Sequence, residues 1–312
     1  MTRPKLFLHV GLHKTGTTFI QRNLIVFHDE LNSDGFFLPG RLGRVEPGHH
    51  EIAHLLHREG PEAFVDVVND QRKLDKIILS AETFSAVIKD KNFWGPDVYG
   101  PLNSSFDVTP IIFLRRQDFM LESVFAQLTK FDRVGSHFKI PRYEYDYTRV
   151  VDLLATSFGE ESVKVIIYRD DEKTDPWLEF CKAVGLDVDR YRSNTRAENS
   201  SGHRRKTLAL SQIKLPDRAS GRFLEAAMQM SDAIHNDEKK FLTPVENRAH
   251  ILKENVAGNS LICDRFAVPA EAREFFTSSQ VDESWVAPEP ISDFEWKAFI
   301  QDLAVMASKS AR

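Results

Sequence analysis

The sequence predicts an α/β fold: a parallel sheet of about four to five strands flanked by helices, followed by a helical C-terminal part. Three observations predict it. Short, mostly continuous apolar runs recur at Lys5–Val10, Lys76–Ser80, Ile111–Leu114 and Val163–Tyr168. Runs of that kind, continuous rather than alternating, suit strands buried on both faces. Helix-like segments separate them, at Thr17–Phe27, Pro61–Leu74, Asp118–Lys130 and Tyr147–Phe158. After about Asp187 the strand-like runs stop, and His203–Ile213, Arg222–His235, Val245–Glu254, Pro269–Phe276 and Asp293–Ala307 read as helices. The expected division is a core over 1–190 and a helical part over 191–312 that completes the site, within one continuous structural domain.

Composition narrows the class. The chain has 312 residues, 42% hydrophobic and 28% charged, which suits a globular protein and excludes collagen-like, disordered and mucin-like chains. A net charge of −5 argues against a nucleic-acid binder, although a local basic pocket is compatible with it. Cys181 and Cys263 stand far apart and in no metal spacing, so neither a disulfide framework nor a cysteine zinc site is expected, and a reducing compartment fits. The first apolar run ends at Gly11, too short for a signal-peptide core, and no stretch approaches the roughly 18 apolar residues of a membrane span. The expectation is a cytoplasmic protein with no integral membrane segment.

In parallel sheets of this kind ligands sit beyond the carboxyl ends of the strands, so chemistry is sought there. The first strand runs into Gly11-Leu12-His13-Lys14-Thr15-Gly16-Thr17-Thr18 and then directly into an amphipathic helix. The glycines have phosphate-loop spacing, G-x-x-x-x-G. Such a loop turns backbone N–H groups inward, and the helix that follows adds the positive end of its dipole. Glycine spacing alone also fits an ordinary strand-to-helix turn; the strand before, the helix after and the Thr17-Thr18 hydroxyl pair favour an anion loop. The loop departs from that of a nucleoside triphosphatase, which ends G-K-[ST]: Thr17 stands where that lysine would be, and the loop's one lysine is Lys14. The nearest candidate for a magnesium-binding aspartate is Asp170, behind Arg169. A mid-loop lysine with no metal partner suits transfer of a group less charged than a γ-phosphoryl.

Lys14-Thr15-Gly16-Thr17-Thr18 resembles the 5′-phosphosulfate loop, K-[ST]-G-T-[ST], of the 3′-phosphoadenylyl sulfate (PAPS)-dependent sulfotransferases, the bacterial branch in particular. That resemblance implies a phosphate-loop sulfotransferase fold. It implies that Lys14 meets charge on the bridging oxygen, and that Thr15, Gly16, Thr17 and Thr18 hold the 5′-phosphate. His13, inside the loop, is grouped with them and read as positioning backbone. The family's second motif is a strand-end arginine with a serine eight residues later, gripping the 3′-phosphate; Arg115 and Ser123 have that spacing, with Arg116 beside the first. Read without the family, the same stretch is a salt-bridged helix start with Asp118 near its N-cap. The likeness covers residues 5–30, 77–84, 111–127 and 163–186 and is weak beyond about 190. The animal enzymes' Arg-Lys-Gly motif is absent, and the basic segment 199–206 is either its replacement or a solvated helix start.

An acceptor hydroxyl must lose a proton as it attacks sulfur, and a placed carboxylate or imidazole speeds this by roughly 10²–10⁴-fold. Glu82, just past the second strand, is the first candidate, since several members of the family use a glutamate from this region. The other reading of Glu82 caps a helix N-terminus. His50 is the competing base. His50-Glu51-Ile52-Ala53-His54 also matches H-E-x-x-H, the zinc-hydrolase pattern, but a third ligand cannot be named and His57 stands where the metzincin continuation wants glycine. The expected function is transfer of a sulfuryl group from PAPS to a hydroxyl of a carbohydrate, glycolipid or small alcohol, with no metal required. An ATP–Mg phosphotransferase and the zinc hydrolase are the alternatives, and a nucleotide-binding module without turnover is a third.

Overall fold

The computed structural model describes residues 3–39, 47–71, 74–130, 146–169, 174–192, 243, 245–281 and 292–310. Their elements are β1 (Lys5–Val10), α1 (Thr17–Val26), α2 (His28–Ser33), β2 (Phe36–Phe37), α3 (His50–Glu59), α4 (Pro61–Gln71), β3 (Lys76–Ala81), α5 (Thr83–Lys89), α6 (Pro96–Ser105), β4 (Asp107–Arg115), α7 (Gln117–Lys130), α8 (Tyr147–Phe158), β5 (Lys164–Tyr168), α9 (Pro176–Val184), α10 (Val245–Arg265), α11 (Ala270–Thr277) and α12 (Asp293–Ser310). The expected helices at His203–Ile213 and Arg222–His235 lie outside the described residues.

The chain folds as two compact units. The first comprises 1–116, 143–198 and 255–278. It holds one five-stranded sheet, all pairs parallel, in the order β2-β3-β1-β4-β5. This is the α/β architecture the apolar runs predict. Leu6, Leu8 and Val10 of β1 join Ile77, Leu79, Ile112 and Leu114 on one face, against α3, α4, α6 and α8. Phe7, Ile78, Ile111 and Phe113 form the other face, with α1 and α9. Both faces are covered, so strand residues of either parity are apolar, which is why the runs are continuous.

Two strand features escape the pattern. β2 is two residues long, below the length at which periodicity has meaning. β4 begins at Asp107, well before the run at Ile111, because Pro110 interrupts the apolar signal. Up to Thr109 and Pro110 the strand pairs with β1, whereas β5 pairs only from Ile111 onward. A proline there faces one neighbouring strand instead of two, so its missing N–H is tolerated. α9 carries the sequence's clearest start signal: Asp175 accepts from the Trp177 and Leu178 N–H groups at 2.9 and 3.1 Å, with Pro176 in the first turn.

The second unit comprises 117–142, 199–254 and 279–312. Within it, Arg248 Nη2 lies 2.6 Å from Asp118 Oδ2, both side chains fully buried. Glu122 Oε2 accepts from the Thr243 N–H and hydroxyl at 3.0 and 2.8 Å. Asp118, near the start of α7, is thus in an ion pair, and the pair is buried. Among the described residues no helix is long and apolar enough to cross a membrane, and both cysteines are buried free thiols.

Two histidines sit inside the first unit. His9, on β1, stands opposite Ser80 of β3, with Nδ1 2.8 Å from the Ser80 hydroxyl oxygen. His49 donates its N–H to the Ser80 carbonyl (2.8 Å), and the Ser80 N–H donates to His49 Nδ1 (3.0 Å). An accepting Nδ1 requires a neutral ring. Burial pushes His9 down to about 3 and His49 down to about 4, from 6.5. The unfolded chain therefore takes up protons near 6.5 that the fold resists, and stability present above 6.5 is lost as pH falls toward 4. Urea unfolding at about pH 7.5 and about pH 5 should differ by on the order of a few kcal/mol. His9→Gln and His49→Gln should each reduce that difference; an unchanged difference in both variants would refute the assignment.

Candidate functional site

The loop after β1 is built by its own side chains. The Thr15 hydroxyl donates to the Leu12 carbonyl at 2.8 Å, and Thr17 Oγ1 lies 3.3 Å from the same oxygen. Both threonines are buried and close the loop on itself, so a ligand would meet chiefly backbone. Thr18 and His13 are exposed. Lys14 (φ 65°) and Gly16 (φ 82°) are left-handed, while Thr15 between them is not. Such alternation turns successive N–H groups to one side, forming an anion-binding concavity. Gly16 is also the N-cap of α1, without a side-chain cap, so the helix's first N–H groups remain directed at the loop.

Each glycine has a reason. A Cβ on Gly11 would lie 2.7 Å from Thr17 Cγ2 and 3.3 Å from Glu82 Cα. A Cβ on Gly16 would lie 2.8 and 2.9 Å from the Pro176 ring and 3.4 Å from Tyr168 Cε2, in addition to the left-handed φ. The start of α9 and the end of β5 thus pack directly under the loop.

β4, the neighbour of β1, delivers Arg115 to this place. Its Nη1 donates to the Lys14 carbonyl at 2.9 Å, and its guanidinium lies 5.6 Å from the Tyr168 ring centre, one strand over. The Arg115 carbonyl accepts from Tyr147 Oη of α8 at 2.7 Å. The strand-end arginine and the backbone of the loop are therefore in direct contact. Arg116, the other arginine of the motif, is buried with its guanidinium 4.8 Å from the Phe275 ring centre. Ser123 is partly exposed on α7 and belongs to the second unit. Asp170 and the segment 199–206 lie outside the described residues.

On the opposite flank, β3 ends next to Glu82. Glu82 precedes α5 but its side chain caps nothing there. Its Oε2 instead accepts from Gln21 Nε2 of α1 at 3.1 Å and lies 3.4 Å from His50 Nε2. His50 Nδ1 lies 2.8 Å from the Thr83 hydroxyl. The two base candidates, separate options in the sequence, are one contact pair, and each side chain keeps a fifth to a third of its surface exposed (21% and 29%). His50 is brought here by its neighbour His49, bonded to Ser80 as described. His54, one turn along α3, and Glu51 are both exposed. No group of three or more His, Cys, Asp or Glu suited to a metal occurs among the described residues.

Sequence reasoning missed Gln21, Thr83 and Tyr147. Of these, Gln21 left a signal: Thr17, Ile20, Gln21, Asn23 and Leu24 are the buried residues of α1, so polar side chains occupy core-facing positions.

No family model and no curated protein sequence matches the chain significantly. Among solved structures, it is similar to a sulfotransferase from Alicyclobacillus acidocaldarius, at 16% identity and TM-score 0.42, over 68% of this chain and 95% of that one.

Gly16→Ala combines a strained backbone with a clash and should cost about 1–3 kcal/mol. Gly35 has a similar φ of 86° but no atom within 4 Å of its Cβ position. Gly35→Ala should cost only the backbone term, about 1–2 kcal/mol. Equal losses in urea unfolding would mean that the packing of Pro176 under the loop is immaterial.

Proposed function

We propose that the protein is a sulfotransferase that moves a sulfuryl group from PAPS to an acceptor hydroxyl. The observation that carries this reading is the 2.9 Å bond from Arg115 to the Lys14 carbonyl, which joins a strand-end guanidinium to a loop of inward amides. A doubly phosphorylated nucleotide needs two separate anion sites within one crevice, and this pairing supports them. The amides of Gly16, Thr17 and Thr18, with the α1 dipole, would hold the 5′-phosphate. Arg115 would fork onto the 3′-phosphate, assisted in this proposal by Ser123. Thr15 acts through the loop, because its hydroxyl proton is already given to Leu12.

In the proposed step the acceptor oxygen attacks sulfur in line. The new O–S bond forms as the bond from sulfur to the 5′-phosphate oxygen breaks, and the electron pair leaves with adenosine 3′,5′-bisphosphate. Lys14 meets the charge that develops on that oxygen. The acceptor proton passes to the Glu82–His50 pair. The acceptor is a carbohydrate, glycolipid or small alcohol, with an amine as the second class. The helical residues after 190 would frame it, the core over 1–190 supplying the donor site.

Thermal shift tests the reading. Adenosine 3′,5′-bisphosphate at a hundred times its Kd should add about 2.7 kcal/mol of stability, and ATP with Mg²⁺ much less. Lys14→Ala and Arg115→Ala should each abolish most of the bisphosphate shift. A shift with ATP–Mg and none with the bisphosphate would replace this reading with a phosphotransferase.

A further inference from the structure

Glu82 and His50 do not stand alone, and the groups around them distinguish their roles. This inference rests on the sulfotransferase reading. We propose that Gln21 and Thr83 are positioning residues that set Glu82 as the proton acceptor and fix His50 beside it.

Glu82 Oε2 takes the Gln21 amide at 3.1 Å and faces His50 Nε2 at 3.4 Å. On its other side His50 is held by Thr83, whose hydroxyl oxygen lies 2.8 Å from Nδ1. Glu82 Oε1 stands outside this set of bonds and is the atom that takes the proton. In the step proposed above, the acceptor O–H proton moves to Oε1 as its oxygen bonds to sulfur.

Gly48 provides a second, independent observation. Its φ is +123°, and a Cβ there would lie 2.7 Å from Gln21 Nε2 and 3.1 Å from His50 Nε2. Backbone without a side chain is packed against both partners of Glu82 at once, as expected of a fitted arrangement and not of a chance surface contact. Gln21 is itself 1% exposed, so its amide has been taken from water to reach the carboxylate. A buried amide that loses this bond is costly, which holds Gln21 to the task.

The test uses the full chain, PAPS as donor and glycerol as probe alcohol, with release of the bisphosphate as readout. Gln21→Ala and Thr83→Val should lower kcat by about 10²-fold, the scale of a displaced reacting group. The KM for PAPS and the bisphosphate thermal shift should stay at wild-type values, and Thr83→Ser should restore turnover. Glu82→Gln should lower kcat at least as far, and adding Gln21→Ala or Thr83→Val to it should lower kcat no further, since both act through that carboxylate. A wild-type kcat in both variants, or losses that add to that of Glu82→Gln, overturns the proposal. Should Gln21→Ala fail to fold, the Thr83 variants, alone and combined with Glu82→Gln, still decide it. A wild-type protein that binds no bisphosphate rejects the sulfotransferase reading itself, whereas one that binds and transfers but is indifferent to Gln21 and Thr83 rejects this inference alone.

Discussion

Lys14 holds a left-handed backbone, and the bond that its carbonyl accepts from Arg115 keeps it there. A non-glycine residue in that conformation costs about 1–2 kcal/mol, comparable to what one charge-assisted hydrogen bond returns. The bond spans 101 positions of sequence and depends on β4 lying next to β1. Arg115 is itself anchored, since Tyr147 donates to its carbonyl and Tyr168 flanks its guanidinium. The shape of the anion loop is therefore a property of three neighbouring strands and α8, not of the loop alone.

The strand order also separates two kinds of chemistry. β1 lies between β3 and β4, so the ends of those two strands stand about 9–10 Å apart. On the β4 side a guanidinium meets the loop. On the β3 side a carboxylate, an imidazole and two neutral hydrogen-bonding groups form one cluster of contacts. The loop that follows β1 stands between them, and Glu82 Cα lies 3.3 Å from where a Cβ on Gly11 would be.

Much of this was readable locally. The continuous apolar runs marked strands buried on both faces, and Asp175-Pro176 marked the start of α9. The glycine spacing after Val10 marked the loop, and both Glu82 and Arg115 stood at strand ends. Other features carried no local signal. β2 has only two residues, and Pro110 hid the first half of β4 because its tolerance depends on where β5 begins to pair. The relation between Glu82 and His50 was open for the same reason: it runs through His49 and Ser80, 31 positions apart. The partner of Asp118 in its salt bridge, Arg248, likewise lies 130 positions away.

Sequence alone determined the elements whose causes lie within a few residues: periodicity, caps, glycine-dependent turns and the types of side chain at each strand end. Tertiary structure decided which of those ends became neighbours, brought the two base candidates into contact, and recruited Gln21 from the helix that follows the loop. The reason is physical. A turn or a cap is specified by the sterics of adjacent residues, whereas a hydrogen bond between distant side chains exists only once packing of the whole sheet has chosen the strand order.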